Sequence, residues 1–184
     1  EDKVGHGTHC AGIILQVCPY ADVHVYRVAQ DDKGIDPKHV ADALEDAIQE
    51  NIDIVSMSFG WYDQDKHLQE VIEKAKDKGI LMFAAHSNSG EWSDGGRFGR
   101  TFPARADEVI AIDSSDADGR PSSFNPSFES PMVRFIALGE SVRSAYPINF
   151  PNDGDEEGYR RMSGNSVAAP VAAGIAGLIL EFAR

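Results

Sequence analysis

Residue types that would place this chain in several common protein classes are scarce. Its 184 residues include only two cysteines, Cys10 and Cys18, which are too few for a disulfide framework. Lysine and arginine number 17 against 30 aspartates and glutamates, which gives a formal net charge of −13. Because phosphate binding needs clustered basic side chains, this charge disfavours nucleic acid and anionic membranes as partners.

Long hydrophobic runs and nucleotide-binding motifs are also lacking. No stretch reaches the length expected of a membrane span, and the longest apolar run, residues 167–182, is predicted to be a buried helix. Neither Gly-x-Gly-x-x-Gly nor a Walker-type loop follows the first predicted strands, so a nucleotide-binding α/β domain has no positive support. The sequence opens at Glu1 without a methionine or a signal peptide, and we expect a piece of something longer.

The hydrophobic content of 42% suffices for a sizeable core, and the length favours one domain over residues 1–184. Strand-like runs alternate with amphipathic helices, which is typical of an α/β fold with a parallel sheet. The predicted strands are residues 23–28, 52–57, 80–85, 109–112 and 133–138. Of the three predicted helices, one begins at Asp36 and the other two cover 67–78 and 166–182. In such sheets, functional groups lie beyond the carboxyl ends of the strands.

Three segments lie at these strand ends and helix starts: GHGTHCAG at 5–12, AAHSNSG at 84–90 and SGNSVAAP at 163–170. A serine hydroxyl is a poor nucleophile and needs a neighbouring base, a role that suits histidine. Taken singly, each motif has a structural explanation: a buried hydrogen-bonded histidine, a turn asparagine, or a serine N-cap. A zinc site is disfavoured, because two of its ligands would be adjacent on a helix and point apart. Its candidate ligands are His6, His9 and Cys10, with Cys18 or His24.

Together the three segments resemble the motifs of the subtilisin-like serine peptidases, in the same order. The resemblance implies an α/β, subtilisin-like three-layer sandwich with a parallel sheet, and hydrolysis of peptide bonds through an acyl-enzyme, with no cofactor and no metal. It implies His6 as the base, Ser166 as the nucleophile and Asn88 as an oxyanion donor. Its implied partners are a polypeptide substrate and other domains of a longer chain. The residues that it places along the substrate are Ser58, Phe59, Gly60, Ala85, His86 and Ser87.

The third member of the family's catalytic triad, an aspartate in an Asp-Thr-Gly strand, has no counterpart in this sequence. Asp2 is too close to His6 to be that residue. Without the aspartate, turnover typically falls about 10⁴-fold, so we expect an upstream segment to supply it. The alternative is a catalytically impaired subtilisin-like module with a binding or regulatory role in a larger protein.

Smaller departures from the family motifs concern the surroundings of the site. Cys10 replaces a valine, His86 and Ser87 replace Ala-Gly, and Asn165 replaces a threonine. None of them removes a catalytic atom. We expect the Ser87 side chain to narrow the pocket for the substrate residue before the scissile bond.

Overall fold

The computed structural model describes residues 2–29, 34–90, 101–126, 134–150 and 156–183. The elements in these ranges are α1 (His6–Val17), α2 (Pro37–Gln49), β1 (Ile54–Met57), α3 (Lys66–Asp77), β2 (Leu81–Ala85), β3 (Ile110–Ser115), β4 (Arg134–Leu138), β5 (Val142–Ala145), β6 (Tyr159–Met162) and α4 (Asn165–Ala183).

Strands β1 to β4 form one parallel sheet in the order β1-β2-β3-β4. The register aligns Met57 with Ala84, and Ala85 with Ile112, so the carboxyl ends of the first three strands lie along one edge. Strands β5 and β6 make a separate antiparallel pair. The predicted α/β fold with a parallel sheet is confirmed.

Helices cover both faces of the four-stranded sheet and complete three layers. On one face α2 and α3 pack together, and their apolar side chains form a core with the strands. On the other face α4 packs on β1 to β4, and α1 packs on α4. The second core is small and lies under α4; its buried members are Phe83, Ala85, Ile112, Ala168, Ala169 and Ala173.

Aspartates cap the starts of α2 and α3, and the cap at Asp36 is the one that the sequence predicts. Asp36 precedes Pro37 and its carboxylate accepts a hydrogen bond from Lys38 N at 2.9 Å. Asp65 does the same for α3, accepting from Leu68 N at 2.8 Å. Gly79, with φ of 82°, follows the end of α3 in the left-handed region, where a side chain would be strained.

Two predictions from the sequence are wrong, one about a strand and one about the length of an apolar segment. Residues 23–28 do not form a strand, because the hydrogen bonds that define a strand need a neighbour and this segment lies across a groove from β1. The prediction that no stretch could span a membrane also fails: α4 has 19 residues and a mean hydropathy of 1.8, enough by length and composition alone. The buried residues in its first half pack on the sheet, which is the position of a core helix.

The observed bounds of the other strands and helices differ from the predicted bounds by one to a few residues. Strand β3 extends to Ser115, three residues beyond its predicted end. Strand β4 begins at Arg134, and the predicted start at residue 133 lies outside the described ranges. Helix α4 covers the predicted 166–182.

Candidate active site

Helix α1 begins at His6, and the residues before it hold its first turn. Gly5 stands at the N-cap with φ of 85°. The Asp2 carboxylate accepts hydrogen bonds from Gly5 N at 2.8 Å and from the backbone N and hydroxyl of Thr8 at 2.9 and 2.7 Å. These bonds satisfy donors that a helix start leaves unpaired. They also direct both oxygens of Asp2 to α1.

The packing of α1 on α4 brings His6 to Ser166, which lies 160 residues later at the start of α4. The distance from His6 Nε2 to Ser166 Oγ is 3.0 Å, and the pair is partly buried. This is hydrogen-bond distance. When the serine hydroxyl donates to Nε2, the imidazole carries its own proton on Nδ1.

The environment of His6 keeps its imidazole neutral. Burial and the nearby His9 ring lower the pKa of His6 from its usual 6.5, while the Asp2 carboxylate acts in the opposite direction. The His6 Nδ1 atom lies 3.8 Å from Cys10 Sγ. Within the part of the chain that the structure describes, no carboxylate is hydrogen-bonded to this nitrogen.

Cys10 and His9 pack around the site. Burial raises the pKa of the Cys10 thiol to about 11, so it is uncharged at neutral pH, although a hydrogen bond with Ser58 acts in the opposite direction. Fully buried His9 has its Nε2 at 3.1 Å from Val142 O and 3.0 Å from Arg160 O. Among the described residues no group of three or more histidines, cysteines and carboxylates could hold a metal.

Asn88 lies beyond the end of β2, exposed, beside the start of α4. Its Oδ1 accepts a hydrogen bond from Asn165 N at 2.8 Å. A Cβ built on Gly164 would stand 3.1 Å from Asn88 Nδ2 and 3.2 Å from Ser166 Oγ. The amide donor and the serine oxygen therefore border the same small space, which Gly164 leaves open.

The six residues expected along the substrate belong to two chain segments, Ser58–Gly60 and Ala85–Ser87. Ser58 Oγ donates to Ser166 O at 2.7 Å. Phe59 packs against Trp61 with ring centroids 5.6 Å apart. Gly60 approaches Thr101 so closely that a Cβ would lie 2.7 Å from its side chain.

The second segment is held by a buried hydrogen-bond contact between His86 and Asp113. Ala85 is buried in β2, and His86 Nδ1 lies 2.9 Å from Asp113 Oδ1. Arg134 in turn donates to Asp113 Oδ2, from Nε at 2.6 Å. The Ser87 hydroxyl turns to Ser89 Oγ, at 2.9 Å.

Sequence reasoning missed the polar groups that support the candidate residues. Asp113 and Arg134 lie outside the three motifs, and the sequence analysis noted Asn165 only as a departure from the family motif without giving its side chain a role. The one available signal was an aspartate inside the apolar run of β3, since a carboxylate at such a position needs a buried partner.

A groove of about 580 Å³ opens beside β1. Residues 21–24, Tyr26 and Val28 line one side, β1 lines the other, and α4 contributes Gly174 and Gly177. β1 is the edge strand of the described sheet, so its outer backbone groups face this groove.

Comparisons with known proteins agree with this architecture. The sequence matches the model of the subtilase family over residues 1–184. It is 33% identical to a thermostable alkaline protease of Halalkalibacterium halodurans, over 97% of this chain and 48% of that protein. It is 32% identical to subtilisin DY of Bacillus licheniformis, over 98% of this chain and 65% of that protein.

Solved structures give the same result. The crystal structure of a lanthipeptide protease superposes with a TM-score of 0.88 at 25% identity, covering 100% of this chain and 62% of the other. A psychrophilic protease superposes with a TM-score of 0.82 at 27% identity, covering 99% and 65%. The chain thus spans about half to two thirds of the length of these relatives. The match over all 184 residues, together with an identity of 33% over nearly the whole chain, shows that this chain belongs to the subtilase family.

Proposed function

We propose that residues 1–184 form the greater part of a single serine endopeptidase domain that hydrolyses peptide bonds through an acyl-enzyme on Ser166. The observation that carries the proposal is the 3.0 Å distance between His6 Nε2 and Ser166 Oγ. A base at hydrogen-bond distance is the requirement for a nucleophilic serine. A polypeptide fits an acidic domain of net charge −13 better than nucleic acid or an anionic membrane does.

The first half of the reaction transfers the acyl group to the serine. His6 Nε2 takes the hydroxyl proton as Ser166 Oγ bonds to the carbonyl carbon, and the carbonyl electron pair moves to oxygen. Asn88 Nδ2 and the Ser166 N–H at the helix start donate to that oxyanion. His6 then gives its proton to the leaving nitrogen, the C–N bond breaks, and an ester on Ser166 remains.

The second half repeats these steps with water as the nucleophile. His6 takes a proton from water, whose oxygen attacks the ester carbon, and the same two donors bind the oxyanion. Return of the proton to Ser166 Oγ releases the carboxylic acid. Both halves use the His6 imidazole, the Ser166 hydroxyl and the two oxyanion donors, and a carboxylate that orients the imidazole assists both.

The groove beside β1 is where the missing carboxylate enters. A strand parallel to β1 has its carboxyl end level with Ser58, whose hydroxyl bonds the carbonyl of Ser166. Cys10, which faces His6 Nδ1, lies at the same end. An aspartate at the end of such a strand orients the imidazole and stabilises its protonated form.

Backbone pairing beside Ser58–Gly60 is the proposed mode of substrate binding. The substrate adds there as an extended strand, so recognition through the main chain tolerates many sequences. Ala85, His86 and Ser87 form the opposite wall. The Ser87 side chain, whose hydroxyl donates to Ser89 Oγ at 2.9 Å, narrows the pocket for the substrate residue before the scissile bond.

Hydrolysis of a fluorogenic peptide library by the full-length protein tests this function. We expect Ser166→Ala to lower turnover by about 10⁶-fold, the scale seen when a triad serine is removed. Ser123→Ala, a change at an exposed serine outside the site, is the matched control and leaves turnover unchanged. Folded full-length protein that hydrolyses no peptide, or hydrolysis that survives Ser166→Ala, contradicts the proposal and favours a module with a binding or regulatory role.

A further inference from the structure

Asn165, the residue directly before Ser166, has a fully buried side chain. Its Oδ1 accepts a hydrogen bond from Ser114 N at 2.7 Å, and its Nδ2 donates to Ser87 O at 2.8 Å. Ser114 belongs to β3, and Ser87 follows the end of β2. The amide thus joins the ends of two neighbouring strands to the first residue of α4.

The same residue also holds the candidate oxyanion donor. The backbone N of Asn165 donates to Asn88 Oδ1 at 2.8 Å, while its side chain holds the carbonyl of Ser87, one residue earlier. With Oδ1 of Asn88 engaged, its Nδ2 is left on the side of Gly164 and Ser166. Asn165 therefore fixes Asn88 both through its backbone and through the peptide that precedes it.

A buried amide that uses its donor and its acceptor on two different strands fixes geometry tightly, because each bond is costly to leave unmade. The amide donor of an oxyanion site must lie at hydrogen-bond distance from the position that the oxyanion will occupy. A small shift of Ser87 moves Asn88 away from that position, and because the oxyanion exists only in the transition state, the loss falls on the chemical step.

We propose that the side chain of Asn165 is a positioning residue for the oxyanion site: it acts through Ser87 and Asn88, and it raises the rate of the chemical step rather than substrate affinity. This inference rests on the proposed peptidase function. It assigns a role to the residue that departs from the family motif, in which a threonine stands before the serine.

A double-mutant cycle in the full-length protein tests it, with kcat and KM measured separately on one peptide. We expect Asn165→Ala to lower kcat by about 10- to 100-fold with KM changed less than about threefold. Asn165→Leu keeps a similar volume and removes both side-chain hydrogen bonds without burying a charge. It should lower kcat similarly and serves as the second variant if the alanine variant folds poorly.

The effect of Asn165→Ala on kcat should disappear in a protein that lacks the Asn88 side chain. We expect Asn88→Ala to lower kcat by about 10²- to 10³-fold, and Asn165→Ala to add less than about threefold in that background. Costs that multiply in the double variant, or an effect on KM alone, would overturn the inference. An inactive wild-type protein would instead contradict the proposed function.

Asn125 provides the matched control. Its buried amide also bonds the backbone of Ser114: Oδ1 accepts from Ser114 N at 3.1 Å, and Nδ2 donates to Ser114 O at 2.7 Å. Within the part of the chain that the structure describes, it makes no hydrogen bond to Ser87 or Asn88. We expect Asn125→Ala to lower the melting temperature and to change kcat less than about threefold. An equal loss of kcat in this variant would mean that general loosening of β3 explains the Asn165 result, which overturns the positioning role.

Discussion

Gly164 borders the space between Asn88 Nδ2 and Ser166 Oγ, and its φ of 154° belongs to a region that side chains avoid. A methyl group there would stand within about van der Waals distance of both atoms and occupy the space assigned to the oxyanion. We expect Gly164→Ala to lower kcat/KM by about 10²- to 10³-fold, the scale of losing one oxyanion donor. Peptide hydrolysis by the full-length variant measures this.

Gly119 supplies the control for that substitution. It also has a positive φ, 79°, but an added Cβ meets nothing within 4 Å. Gly119→Ala should therefore cost stability through backbone strain alone and leave kcat/KM unchanged. Equal kinetic losses in both variants would contradict the role given to Gly164.

The His6 ring should titrate below its ordinary range. Burial and the neighbouring His9 lower its pKa from 6.5, so the imidazole becomes neutral at a lower pH than a free histidine and is available as a base above that point. An NMR titration of the 184-residue chain measures the midpoint, with His6→Gln to assign the resonance. A midpoint at or above 6.5 would contradict this environment.

Asp2 should contribute to stability in a pH-dependent way. Partial burial acts to raise its pKa, but hydrogen bonds from Val4, Gly5 and Thr8 outweigh that effect and lower the pKa to about 2. Because the folded-state pKa is lowered, the contribution is complete above the unfolded value near 4 and is lost as the pH falls towards about 2.

The variant Asp2→Ala tests this contribution by denaturant unfolding at several pH values. At pH 7 we expect a loss of about 1 kcal/mol in the free energy of unfolding, similar to the loss of a helix cap. The difference between variant and wild type should shrink between about pH 4 and pH 2. A difference independent of pH would show that the carboxylate charge is not involved.

At the scale of elements, the close contact between α1 and β5 sets the position of His6. Gly12 lies on α1 where a Cβ would come within 2.9 Å of Ala145 Cβ and 3.1 Å of Ala145 N. A methyl group must push the helix away from the hairpin. Since His6 belongs to the same helix, its distance from Ser166 changes with that shift.

We expect Gly12→Ala to destabilise the domain by about 1 to 3 kcal/mol, as overpacking does. Gly7→Ala on the same helix is the stability control, because its nearest neighbour would be Asp2 Oδ2 at 3.6 Å, an ordinary contact. There alanine should leave the domain equally or more stable, since it favours helix. Thermal and denaturant melts compare the two. A destabilisation by Gly7→Ala as large as that by Gly12→Ala would contradict the packing argument.

Elements whose signals are local were predictable from the sequence. The aspartate caps and the apolar spacing of α2 and α3 lie within a few residues of one another, and the structure has both helices. The strand predicted at residues 23–28 is absent because a strand depends on a contact that is not local. Their β-prone composition is local, but a strand exists only with a hydrogen-bonded neighbour, and beside this segment lies the groove.

At the scale of the whole molecule, the resemblance of the three motifs to those of the subtilisin-like peptidases indicated which side chains would meet. His6 and Ser166 do lie at hydrogen-bond distance. The supporting contacts could not be predicted, since Asn165 to Ser114 and His86 to Asp113 depend on strand register. Register is set by packing between distant segments rather than by neighbours in sequence.

The proposed function requires that Ser166 be a nucleophile activated by His6, and covalent labelling by a fluorophosphonate probe measures this reactivity. We would label the full-length protein and the 184-residue chain, locate the modified residue by mass spectrometry, and use Ser166→Ala as the control. We expect labelling of Ser166 in the full-length protein, abolished by the substitution, and much slower labelling of the 184-residue chain, which has no carboxylate strand. Folded full-length protein that remains unlabelled, or that is labelled at another serine, would contradict the proposed function.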